Sequence, residues 1–183
     1  MPAGKDRLYV ALYARSGKAV MPANKVGTRS YHWAILVGPK KEVEGSEGTR
    51  FHAKESLSVS SGKYEWIYDE QSIRLISTQM LLVRIMIAKI EDRGRMLQVL
   101  RELPLRSGTE GWNCVGWVRE ALVELQKDGK ALGTAVVDWS TVRDAAMNYC
   151  QRKKDEHRFD GVIDWKTTKA ATFDLIGGKE VIP

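Results

Sequence analysis

Cysteine and histidine are scarce in this chain: 183 residues hold two cysteines, Cys114 and Cys150, and three histidines. Two thiols do not make a disulfide framework, which needs more cysteines in a smaller chain. No CxxC or HExxH occurs, so there is no local signature of a zinc site, and neither a metal nor a cofactor is expected. Long apolar runs are missing as well. The longest, residues 80–88, contains Arg84 and falls far short of the ~20 residues a membrane helix needs. The opening MPAGKDRLYV has no apolar stretch of the signal-peptide kind. A cytoplasmic protein without an integral membrane segment is therefore expected. There is no internal repeat and no low-complexity tract.

What is there reads as one globular domain over residues 1–183. Hydrophobic residues make up 43% and charged residues 28%, an ordinary balance for a chain long enough to bury a core. The formal charge of +6 admits an anionic partner such as nucleic acid, acidic lipid or a phosphorylated carrier. The charges look scattered, and QRKKDEHR (residues 151–158) mixes both signs, as the solvated end of a helix does. His157 falls in this stretch and is expected at the surface. No RNP-like or helix-turn-helix signature occurs, which ranks nucleic acid last among the partners.

The order of elements is strands first, then helices. Residues 7–13, 31–37, 50–54, 63–68 and 81–90 read as strands, the fourth of them at an edge. Beyond Glu91 the period changes. Met96, Leu97, Leu100 and Leu103 recur at helical spacing until Pro104 stops them. The clearest helix carries the stripe Cys114, Trp117, Val118, Ala121, Leu122, Leu125, with Asn113 as N-cap and Gly129 as stop. A third helix is expected from a Ser140 cap, and the tail from Arg158 has no clear pattern. This order points to the α+β class, an antiparallel sheet with helices packed against it.

Three residues carry the chemistry. Cys114 opens a helix, where unpaired N–H groups and the helix dipole favour a thiolate and lower the thiol pKa. It also lies on the apolar stripe of that helix, where a core cysteine lies. His32 sits in YHWAILVG, a strand apolar on nearly all sides, where a lone histidine is commonly a packed core residue. His52, in RFHAKE, is expected on the returning strand. If residue 32 pairs with 52, and so 37 with 47, the two imidazoles share one face. A base beside a polar orienter has that form, and the start of the Cys114 helix is expected to dock there. Asp69 and Glu70 offer ion pairs without a defined partner. Trp112 reads as a groove wall or as a staple at the helix entry. The loop 14–30, with Arg15, Lys18, Lys25 and Arg29, is basic and runs into the His32 strand, so Arg15 and Lys18 are candidates to meet an anionic substrate.

YHWAILVG, RFHAKE and the NC that opens a helix together resemble the circularly permuted papain-like fold of the NlpC-type peptidase superfamily. The group most similar in pattern is the lecithin retinol acyltransferase-like one. The resemblance covers roughly residues 31–125. It implies that Cys114 is the nucleophile, His32 the general base and His52 the group that orients His32. The chain departs from that group at NCVGW, where an acidic residue and a further histidine are usual, and in its longer spacing between the histidines. The expected function is cysteine-dependent acyl transfer through a thioester: hydrolysis of an amide or ester, or transfer or cyclisation, on a small-molecule, acyl or peptide substrate. The alternatives are a binding module on the same fold, and an acyl or aminoacyl transferase using an anionic carrier such as tRNA.

Overall fold

Strand β1 (Arg7–Ala14) has no wet face: Leu8 to Ala14 are all buried. A strand apolar on both sides belongs in the middle of a covered sheet, and β1 lies between β2 (Tyr31–Gly38) and β5 (Leu81–Ile90), antiparallel to both. A computed structural model describes residues 5–15, 27–78 and 80–183. In it β3 (Glu47–Leu57) and β4 (Tyr64–Arg74) continue the sheet past β2, and β4 forms the edge expected of it.

The helices α1 (Arg93–Arg101), α2 (Cys114–Asp128) and α3 (Trp139–Asp155) follow. A short β6 (Leu132–Ala135) pairs with β5. The tail that showed no pattern returns to the sheet as β7 (Ala171–Asp174) and β8 (Lys179–Ile182). The strand order is β4-β3-β2-β1-β5-β7-β8. The fold is α+β, but the sheet is mixed rather than wholly antiparallel, because β7 runs parallel to β5. The chain between those two strands passes through the helical layer, and such a crossover brings a strand back in the same direction.

One face of the sheet carries the helices. Leu12, Trp33, Ile35, Val37, Phe51 and Ala53 point to it, and the α2 stripe from Cys114 to Leu125 packs against them. Burial of side chains such as Val118, Leu122 and Leu125 contributes about 2 kcal/mol each. Asn113 caps α2 by accepting the Val115 N–H at 2.9 Å, and Gly129 ends it in a left-handed conformation at φ 64°. The α3 cap is Asp138, not Ser140: its carboxylate accepts the Thr141 N–H at 2.8 Å and the Ser140 hydroxyl at 2.7 Å. Both residue types suit an N-cap, so spacing alone does not separate them. The opposite face holds a smaller buried set with Tyr9, Ala11, Tyr13, Ala34 and Leu36. No helix of the described residues is long and apolar enough to cross a membrane.

Candidate active site

The histidines meet on the face away from the helices. Strands β2 and β3 pair at Ile35–Phe51, Leu36–Arg50 and Val37–Thr49. This register is two residues off the one that would set 32 against 52. A shift of two keeps every side chain on its face, so the imidazoles are diagonal neighbours. Gly48 lets the strands come this close: a Cβ there would stand 2.3 Å from the Val37 carbonyl oxygen. The β2–β3 ladder stops at Ile35, while β3 stays paired with β4 along its full length. The first residues of β2 are thereby left with β1 alone, and His32 stands beside this open seam.

A chain of hydrogen bonds runs across the strands. His32 Nε2 lies 2.5 Å from His52 Nδ1, and His52 Nε2 lies 2.9 Å from Asp69 Oδ2. Asp69 is the direct cross-strand partner of His52 on β4. Lys54 Nζ donates to Asp69 Oδ1 at 2.8 Å, and Arg50 Nη2 is 3.8 Å from Oδ2. Burial opposes the Asp69 charge, but Lys54 and then the His52 ring outweigh it and hold the carboxyl below the usual range. A carboxylate only accepts hydrogen bonds. His52 must therefore carry its proton on Nε2, which leaves Nδ1 as an acceptor, and His32 must donate from its own Nε2. Nδ1 of His32 is then the acceptor nitrogen of its ring. Burial, followed by the nearness of His52, Arg15 and Arg50, lowers the His32 pKa to about 3. Burial also lowers that of His52, against the pull of Asp69. Both rings are thus neutral near pH 7, and the lowered pKa makes His32 a weak base.

Asp69 is the member the sequence did not single out. Its signal lay in the alternation of YEWIYDEQ. Trp66 and Tyr68 turn to the helix side, where Tyr68 meets Trp117 and Trp66 meets Trp112, so Asp69 must turn to the histidine side. Only the β3–β4 register brings it opposite residue 52.

Cys114 comes from the other layer. It is the first residue of α2 and fully buried. The helix does not dock on the histidine face, because its apolar stripe needs the apolar side of β2 and β3. The N–H of Trp33 favours the Cys114 thiolate, which sets the sulfur against the peptide linking His32 to Trp33, at the open seam. Arg15 Nη2 is 3.6 Å from Sγ, and Arg15 Nε donates to the Tyr31 carbonyl at 3.1 Å. Among the hydrogen bonds of the described residues none joins Cys114 to His32. The thiol pKa is raised, contrary to the expectation from helix position. Burial outweighs the Trp33 N–H, Arg15 and the N–H groups of Val115 and Cys114. Cys150 is also buried, and its thiol is pushed up to about 11.

The other candidates divide. Trp112 is half-buried, donates to Glu120 of α2 at 2.9 Å and stands edge-on to Trp66 of β4. Lys18 and Lys25 lie outside the described residues. His157 is exposed and pairs with Asp160 at 2.7 Å. Among the described residues no group of three His, Cys, Asp or Glu side chains is placed to hold a metal ion.

Residues 5–182, almost the whole chain, match a family described as "Family of unknown function (DUF6914)". The chain belongs to that family. Neither a curated protein nor a solved structure matches it. The DUF6914 match runs from before β1 to the end of β8, so it takes in every residue of the histidine–aspartate chain together with Cys114.

Proposed function

We propose that this DUF6914 member is a cysteine-dependent acyl-transfer enzyme on a permuted papain-like fold, with Cys114 as nucleophile, His32 as general base, and His52 and Asp69 as the groups that hold the base in its reactive tautomer. One observation carries the reading. Asp69, His52 and His32 form an ordered chain whose only consistent proton arrangement leaves a lone pair on His32 Nδ1, and Cys114 Sγ lies against the backbone peptide of that same residue.

The resting pair is thiol and neutral imidazole, because the His32 pKa is low and that of Cys114 is high. Proton transfer to Nδ1 then accompanies attack of the sulfur on a carbonyl carbon and does not precede it. The C–S bond forms, the carbonyl π electrons move to oxygen, and the thiol proton ends on His32. The oxyanion is met by the Cys114 N–H and the Arg15 guanidinium. Collapse expels the leaving group, which takes the proton from His32, and leaves a thioester. Water as acceptor completes hydrolysis; an amine or alcohol completes transfer.

A second reading has its own observation. Cys114 is fully buried without a hydrogen bond to His32, as in a binding module that keeps the fold and does no chemistry. An activated ester separates the two. Incubation with p-nitrophenyl acetate should place an acetyl group on Cys114, read by peptide mass mapping, and His32→Ala should abolish it while Cys150→Ala leaves it intact. An unmodified Cys114, or one acetylated equally fast in His32→Ala, establishes the binding-module reading instead.

A further inference from the structure

The face that carries the histidines holds a cleft at the far end of β1. Tyr13 marks the histidine end and Tyr9 the other, four strand residues away, or about 13 Å. The cleft encloses about 490 Å³, within the range of small-molecule sites. Its floor is Arg84, fully buried. Glu42 holds the Arg84 guanidinium through both oxygens, at 2.8 and 3.2 Å, and Thr172 Oγ1 accepts from it at 3.1 and 2.9 Å. The guanidinium carbon stands 4.9 Å from the centre of the Tyr9 ring.

Above this floor the charge is one-sided. Arg7, Lys40, Lys41, Lys89 and Lys169 line the cleft beside Arg84. Glu42 is already held by Arg84, and the other acid, Asp174, accepts the Gly177 N–H at 2.9 Å. Arg7 and Lys169 donate to backbone carbonyls, not to carboxylates. Six cations against two carboxylates leave an excess of four positive charges, in a chain whose whole net charge is +6. Six of the chain's 29 lysines and arginines thus line this one cleft. Met86, Ile176, Val181 and Ile182 add apolar surface to the lining.

We propose that this cleft is a binding site, separate from the histidine chain, for a phosphate ester with an apolar body. Several ammonium groups around one space favour a dianion over a single carboxylate. The buried Arg84–Glu42–Thr172 floor fixes the turn that carries Lys40 and Lys41, so their stems start from a set position. The apolar part of the lining receives the ester group, which inorganic phosphate lacks.

Calorimetric titration of the full chain with phenyl phosphate and with inorganic phosphate tests this. Phenyl phosphate should bind more tightly than phosphate. The double variant Lys41→Glu/Lys89→Glu should weaken it by at least about tenfold, or ~1.4 kcal/mol. The control Lys63→Glu/Lys130→Glu, with the same net charge and both changes at exposed lysines outside the cleft, should keep it. Unfolding curves of the free variants show whether they are folded, and amide shifts of Thr172 and Gly177 in the unmodified protein report the site directly. Absence of binding, equal loss in both variants, phosphate binding as tightly as its phenyl ester, or shifts centred on His32 in place of Thr172 would each overturn the assignment.

Discussion

His52 Nε2 and Asp69 Oδ2 stand 2.9 Å apart on adjacent strands, and this one bond decides where two protons sit. Because the carboxylate can only accept, it fixes the His52 tautomer, and His52 in turn fixes that of His32. A group two steps from the candidate base thus determines which of its nitrogens is the acceptor.

Nitrogen chemical shifts of the two rings check this. Both histidines should be Nε2-protonated near pH 7. In Asp69→Asn the amide can present either an oxygen or an N–H to His52, so the two tautomers should mix and the shifts of both rings should move. If His32 alone kept its Nε2 proton in that variant, the coupling through His52 would be absent.

The same groups make the fold acid-sensitive. The folded-state pKa of His32 is about 3, against 6.5 for an unperturbed histidine, and that of His52 is also lowered. Below pH 6.5 the unfolded chain therefore binds more protons than the folded one. The stability contributed by the neutral rings is complete above 6.5 and is lost as pH falls from there toward about 3, with an upper slope of ~1.4 kcal/mol per pH unit per histidine. Asp69, with a lowered pKa, acts in the same direction at the acid end. Melting temperatures between pH 4 and 8 should fall on the acid side, and His32→Gln should flatten that fall. An unchanged acid slope in the variant would remove His32 as its source.

Thiol reactivity distinguishes a neutral Cys–His pair from an ion pair. With the Cys114 pKa raised by burial, alkylation by iodoacetamide in the folded protein should be slow at pH 6–7 and climb through pH 9, with Cys114 ahead of Cys150. A plateau near neutral pH, lost in His32→Ala, would mean that the resting state is thiolate and imidazolium.

Gly48 tests the register that brings the histidines together. A methyl at this position would stand 2.3 Å from a backbone oxygen and 2.8 Å from the Leu75 side chain, so Gly48→Ala must push β3 away from β2. A loss of about 1–3 kcal/mol is expected from such overpacking, measured by urea unfolding. The contact between His32 and His52 should loosen with it, seen as a rise in the His32 pKa. Stability equal to the parent would show that the strands pair without this close approach.

Much of the architecture is legible in the chain. The α2 stripe, its Asn113 cap and its Gly129 stop appear as the 3.6 period and the cap residues require. His32 and His52 share a face because alternation along a strand survives an error of two residues in register. The β4 edge strand was visible, but not its full length, since Asp69 and Glu70 are residue types depleted in strands, and the strand runs on through them because β3 pairs with them. The tail strands β7 and β8 were hidden for a related reason: four residues each are too few to show a period, and their place depends on α3 crossing the sheet.

The sequence by itself determined which side chains have chemistry to offer and which face of each element is apolar, because both follow from residue type and local period. Tertiary structure alone decided their relations. It brought Asp69 to His52 through a cross-strand register, and placed Cys114 on the helix side of the seam because its stripe had to bury against apolar strands. Burial then reversed the thiol shift that the helix terminus alone would produce. Desolvation is set by everything packed around a group, and no local stretch of sequence contains that.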